Sequence, residues 1–179
     1  MGLFKIVAIA ATLASAPAVA LAADPLAVRI STNEAAPVAN TGVDWNGFYA
    51  GVYGVTQSSP VGGLQYGLGL DLGVNAQFEF VLVGAEIAYH GLTGGAGSTA
   101  YVQTIGKAGV AIAGDLVIYG AGGFGIALGA PAETDALIGA GAEFAIAENL
   151  SLKGQYLHGF ALTGANPKDQ VTVGANFHF

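Results

Sequence analysis

The chain has 179 residues, of which 53% are hydrophobic and only 9% charged, with 29 glycines, no cysteine and a formal net charge of −7. Soluble domains carry about 25% charged residues, so this balance belongs with a membrane protein. The acidic excess leaves no electrostatic footprint for nucleic acid, and the absence of cysteine excludes disulfides, thiolate chemistry and cysteine-held metals.

At the N-terminus Lys5 precedes the apolar run Ile6 to Leu13, and Ala18-Val19-Ala20-Leu21-Ala22 supplies small-residue cleavage sites. Residues 1–22 are therefore expected to be a secretory signal peptide, cut after Ala22 with Ala20 as second choice. A retained anchor fits less well, because the run is short and is broken by Ser15 and Pro17. Removing it takes Lys5 away and leaves 12 acidic residues against 4 basic ones, a balance of −8. What remains has the length of one domain.

Residues 23–44 carry Asp24-Pro25, Asn33-Glu34-Ala35-Ala36-Pro37 and Asn40-Thr41-Gly42 without periodicity, and read as a flexible periplasmic lead-in. A small plug inside a barrel is the lesser alternative.

From Trp45 onward no convincing run of roughly 20 apolar residues suggests a spanning helix. Glycine within a helix costs about 1 kcal/mol relative to alanine. The other way to satisfy every backbone group in lipid is a closed barrel. The dominant period is two. Leu64, Tyr66, Leu68, Leu70, Leu72, Val74 and Ala76 alternate with Gln65, Gly67, Gly69, Asp71, Gly73, Asn75 and Gln77. At the C-terminus Val171, Val173, Ala175, Phe177 and Phe179 alternate with Gln170, Thr172, Gly174, Asn176 and His178. A tilted strand crosses the hydrocarbon in about 9–11 residues. Strands are expected near 45–56, 64–77, 80–90, 100–112, 116–127, 136–146, 150–158 and 169–179. The expected fold is all-β: an eight-stranded, antiparallel, up-and-down transmembrane barrel spanning 45–179. Tight connections fall at Gln77-Phe78-Glu79, Ala113-Gly114-Asp115 and Ala147-Glu148-Asn149, and should face the periplasm. Longer ones at 57–63, 91–99, 128–135 and 159–168 should face outward.

Alternation also assigns faces. Val81, Val83, Ala85, Ile87 and Tyr89 should meet lipid, with Glu86 and His90 inside; Val102, Thr104, Gly106, Ala108 and Val110 should face out, with Lys107 inside. In the first strand Phe48 and Val52 compete with Tyr49 and Tyr53, and Trp45 and the two tyrosines are expected outside. Because aromatic rings with a polar tip favour membrane interfaces, Trp45, Tyr49, Tyr66, Tyr89, Tyr119 and Tyr156 are expected as interface aromatics.

Asp71, Glu86, Lys107, Glu143 and Lys153 should share the interior. An eight-stranded barrel is just wide enough for side chains to fill, and buried charges there must pair. The network is expected to be a structural polar core, with an ion path or gate as the alternative. Glu143 and Lys153 lie equally far from the turn at Glu148, so they are expected to oppose each other and form an ion pair.

Other chemical signals are thin. Gly120-Ala121-Gly122-Gly123-Phe124-Gly125 matches a dinucleotide fingerprint, but Gly129 and Pro131 follow where a helix is needed. His90, His158 and His178 occur singly, without ligand partners at metal-binding spacing. A hydrolase would have to combine Ser58, Ser59 or Ser98 with His90 or His158. No metal, cofactor or catalytic role is expected.

Asp44-Trp45-Asn46-Gly47-Phe48-Tyr49-Ala50-Gly51 resembles the Trp-x-Gly-x-Tyr-x-Gly opening of small porin-family outer-membrane β-barrel proteins, the eight-stranded outer membrane protein beta-barrel domain family. Phe80-Val81-Leu82-Val83-Gly84-Ala85-Glu86-Ile87-Ala88-Tyr89 is similar to that family's third strand. Gly139 to Phe144 and Glu148 to Tyr156 are similar to its sixth and seventh, and Phe179 to its terminal aromatic. The resemblance covers Trp45 to Phe179. It departs at Ile105, where the family often has a second basic residue, and in its short outer loops. What it implies is the cell outer membrane of a Gram-negative bacterium, with lipids and the assembly machinery as partners and Phe177 and Phe179 as the assembly signal. Members are porins, structural proteins or surface antigens. The expected function is a structural barrel contacting envelope or host molecules, as a monomer. A narrow pore for small solutes or ions is the alternative, and a lipid-modifying enzyme comes third.

Overall fold

A computed structural model describes residues 44–179 apart from 96, 113, 130, 131 and 165. The signal-peptide and cleavage readings, and the lead-in as far as residue 43, fall outside the described residues. Eight strands follow in order: β1 Gly47–Ser59, β2 Gly63–Phe78, β3 Val81–Gly94, β4 Thr99–Ile112, β5 Leu116–Ala127, β6 Glu133–Ala147, β7 Leu150–Ala161 and β8 Lys168–His178. Each pairs antiparallel with its neighbours, and β8 pairs with β1 to close the barrel. No strand edge is left to face lipid.

Every expected strand exists, and four run three or four residues further than expected toward the same end. β1, β3 and β7 continue through Ser59, Gly94 and Ala161, and β6 begins at Glu133. Glycine and polar residues suggested loops there, yet the ladder persists because alternate side chains still find the interior. That end is called the loop end below, and the opposite one the turn end. At the turn end two-residue turns sit at Glu79-Phe80 and Glu148-Asn149. Type I′ and II′ hairpin turns need positive φ, which Glu79 supplies at 56° and Gly114 at 83°; the Glu148-Asn149 turn has none and follows a register shift between Ala145 and Ala147.

The outward faces of β2, β3, β4 and β8 are those the alternation predicts. Leu68, Leu70, Leu72, Ile87, Phe124, Ile138 and Val173 all stand exposed on the outer wall. Apolar patches on monomeric soluble proteins reach only a few hundred Å². A continuous apolar belt around a closed barrel is stable only in lipid.

The expected facing of β1 is inverted. Trp45 and Tyr49 are each 1% exposed, and Tyr53 is also buried, while Phe48 and Val52 are 68% and 60% exposed. Tyr119 is buried as well, so four of the aromatics placed outside belong to the interior, three of them among the six interface candidates. Tyr66, Tyr89 and Tyr156 do face out. The cause is space across the ladder. Tyr49 lies opposite Gly73, Tyr53 opposite Gly69 and Tyr119 opposite Gly141, and each ring occupies the volume where a Cβ on that glycine would stand. A tyrosine laid over an interior glycine buries its ring and keeps its hydroxyl within reach of a partner.

Candidate functional site

The interior positions of five strands converge on one cluster. Lys153 on β7 bonds Glu86 Oε2 on β3 at 3.0 Å and also bonds Asp71 Oδ2 on β2. Lys107 on β4 reaches the same Glu86 oxygen at 3.2 Å and the Tyr49 hydroxyl at 2.5 Å. Tyr49 in turn donates to Glu86 Oε2 at 2.7 Å. Two carboxylates thus face two ammonium groups, and all four are nearly inaccessible. Isolated charges here would each cost several kcal/mol, so mutual pairing is what permits them. The Lys107 ammonium also stands over the Tyr49 ring, 4.5 Å from its centroid.

Glu143 does not join this cluster as expected. It lies directly opposite Lys153 in the ladder, but the lysine stem carries its charge across the lumen to Asp71 and Glu86. Glu143 instead accepts from Ser151 Oγ at 2.5 Å and Asn176 Nδ2 at 2.8 Å, with His178 Nε2 at 3.3 Å. Near the turn end, Trp45 packs edge-on against His178 at 5.4 Å and donates its indole N–H to Gly114 O at 3.0 Å.

A second cluster, near the loop end, escaped the sequence reading. Asp135 is fully buried, takes bonds from Lys168 Nζ at 2.9 and 3.0 Å, and accepts from the Tyr101 hydroxyl at 2.6 Å. Lys168 also reaches Glu133 at 2.9 Å. Asn166 accepts from the backbone of Val61 at 3.1 Å, tying two loops together over the mouth. Asp135 and Lys168 fall within the expected loops 128–135 and 159–168. Extending the alternation backward from Glu143 through Leu137, and from Gln170 to Lys168, would have found both.

Apolar clusters share the remaining interior with buried polar side chains, among them Gln57, Gln65, Gln103, Gln155 and Gln170. Trp45, Leu82, Ile105, Val117, Leu137 and Leu157 form one buried cluster, and Tyr53, Val55, Ala88 and Leu92 another. Ile105 stands opposite Glu86. His90 is wholly buried, stacked on Tyr101 at 5.3 Å and bonded to the Tyr53 hydroxyl at 3.0 Å.

The glycine-rich fingerprint lies within β5, an uninterrupted strand. Of the serines, Ser59 bonds the backbone of Gly62, and Ser98 bonds Thr93. Ser58 opposes Asp169, which opposes His158. Asp169 therefore lies between the other two, whereas a serine nucleophile must touch its histidine base.

Phe177 and Phe179 face outward with ring centroids 5.3 Å apart. The Phe179 N–H donates to Phe48 O at 2.9 Å, which carries the β1–β8 seam one residue past the end of β8.

No protein-family model matches the sequence, and no curated relative matches it. Solved structures do resemble the fold. Ail, the attachment invasion locus protein of Yersinia pestis, aligns with a TM-score of 0.58 at 15% identity, over 75% of this chain and 99% of that one. The N-terminal β-barrel domain of Pseudomonas aeruginosa OprF gives 0.51 at 16% identity, over 72% and 97%. Neisserial surface protein A gives 0.50 at 13% identity, over 75% and 98%. At such identities the likeness shows the fold. With the apolar belt, it makes this chain an eight-stranded outer-membrane β-barrel.

Proposed function

We propose that the chain is a structural protein of the outer membrane, allied to the small porin-family barrels, with a sealed interior. It is exported by a cleaved signal peptide, assembled through its C-terminal strand and functional as a monomer, with its tight turns toward the periplasm. The observation that carries this reading is the position of Lys153, buried between Asp71 and Glu86 with its charge matched inside the wall. A conducting path needs hydrated, mobile side chains at its narrowest point. Here the charges are locked to one another, and buried apolar clusters that include Ile105 and Tyr53 pack beside them. The short connections from Ser59 to Gly63 and from Gly94 to Thr99 offer little surface for a loop-borne adhesin. The role is non-catalytic, in keeping with the order Ser58, Asp169, His158 across the wall.

Single-channel recording of the refolded protein in planar bilayers tests this directly. The expected trace is flat, without discrete openings. Regular unitary steps would replace the structural reading with that of a narrow pore for small solutes or ions.

A further inference from the structure

Among the described residues the outer wall carries an ionisable polar island that barrel closure does not require. On β7 and β8, His158 and Asp169 oppose each other on the lipid-facing side, and their side chains are 32% and 55% exposed. His158 Nδ1 lies 2.8 Å from Asp169 Oδ1, and the Tyr156 hydroxyl donates to the same oxygen at 2.6 Å. Because a carboxylate only accepts, Nδ1 carries the proton and Nε2 is left as an acceptor in the neutral ring. Ser58 opposes Asp169 on its other side, and Thr56 follows on the same outward face of β1. Apolar wall surrounds the island. Ile138 flanks His158 on β6, Val171 lies toward the turn end, and Phe160 and Leu162 lie toward the loop end, all exposed. Phe160 and the imidazole pack T-shaped, with ring centroids 4.6 Å apart.

Ionisable groups on a lipid face are rare and mark function by default. This group is rich in acceptors. Within the described residues Asp169 Oδ2 and His158 Nε2 make no bond, and the two β1 hydroxyls lie beside them. A phosphate would meet the Asp169 carboxylate, whose charge a protonated His158 could only cancel. Vicinal hydroxyls of a sugar ring would instead donate to the carboxylate oxygen and the imidazole nitrogen. They would also exchange bonds with Ser58 and Thr56. The rings of Phe160 and Tyr156 are apolar surfaces on which the sugar's C–H groups can pack. Polar groups placed within an apolar wall fix the orientation of such a ligand. The island sits near the loop-end margin of the belt, where an amphiphile bound alongside the wall places its head. We infer that Tyr156, His158, Asp169 and Ser58 form a recognition site for the saccharide headgroup of a membrane glycolipid.

The test uses dodecyl maltoside as probe. The barrel is refolded in dodecylphosphocholine micelles and titrated with dodecyl maltoside, and the amide and imidazole resonances of His158 and Asp169 are followed. Saturable shifts centred on these residues are expected. Asp169→Asn and His158→Leu should each weaken the midpoint by roughly fivefold, the worth of about one net hydrogen bond. Asp169→Asn preserves shape and keeps the test valid should His158→Leu fail to fold. Ser98→Ala, far around the wall, should leave the titration unchanged. Shifts that grow linearly without saturation, or that keep the same midpoint in Asp169→Asn, overturn the assignment. Equal shifts with free maltose overturn the lipid as its source, and equal shifts with dodecyl dimethylamine oxide overturn the sugar.

Discussion

Replacing Lys153 by methionine keeps the length of the stem and removes the charge. Asp71 then loses the ammonium bonded to Oδ2, while its Oδ1 already has no partner. Glu86 keeps Lys107 at 3.2 Å and Tyr49 at 2.7 Å, so the stranded charge is chiefly that of Asp71. Breaking a buried pair in this way costs about 3–5 kcal/mol. Neutralising Asp71 as well removes the stranded charge, so Asp71→Asn with Lys153→Met should be more stable than the two single losses predict. Residues in one network couple by about 0.5–3 kcal/mol, and a value near the upper end is expected here. The assay is equilibrium unfolding by guanidinium in lipid vesicles, with the four members of the cycle measured under identical conditions. A second cycle, Glu143→Gln with Lys153→Met, should couple by less than about 0.5 kcal/mol, because Glu143 is held by Ser151, Asn176 and His178. If the Glu143 cycle couples as strongly as the Asp71 cycle, lysine pairs along the wall and not across the lumen, and the reasoning fails.

Leu70→Arg, on the exposed face of β2, should cost about 2–4 kcal/mol near the bilayer midplane, whereas Leu70→Phe should cost little; equal losses in the same unfolding assay would put that face away from lipid. Gly73→Leu would drive its side chain into the Tyr49 ring, so unfolding should show a clear loss that Tyr49→Ala partly restores. Trp45, the sole tryptophan, is buried near the turn end, so its emission should resist both iodide and brominated lipid. Quenching by brominated lipid would return Trp45 to the outer wall. Deleting Phe179 should reduce assembly in cells far more than refolding into detergent, measured by the folded band on unheated gels. An equal fall in both would make it a packing residue alone.

Alternation along the chain was enough for the number of strands, their order and the facing of those with one apolar and one polar side. In β2, and in β8 from Gln170 onward, every second residue is apolar and the others are glycine or polar, so a one-residue slip would bury the wrong set. The same logic placed Asp71, Glu86, Lys107, Glu143 and Lys153 inside, where each is buried. It could not orient β1. There Phe48 and Val52 on one side and Tyr49 and Tyr53 on the other are all acceptable to lipid, so period two leaves the sign of the face open. The decision came from β2, where Gly69 and Gly73 leave room for two rings that nothing within β1 reveals. Nor could it choose partners. Ladder register sets Glu143 against Lys153, but a four-carbon stem in a narrow lumen reaches strands far away in sequence, and Lys153 joins Asp71 and Glu86 instead. Asp135 and Lys168 were hidden for a related reason: turn-forming neighbours made them resemble loop residues, and only closure of the barrel carries both strands far enough to bring the two charges together.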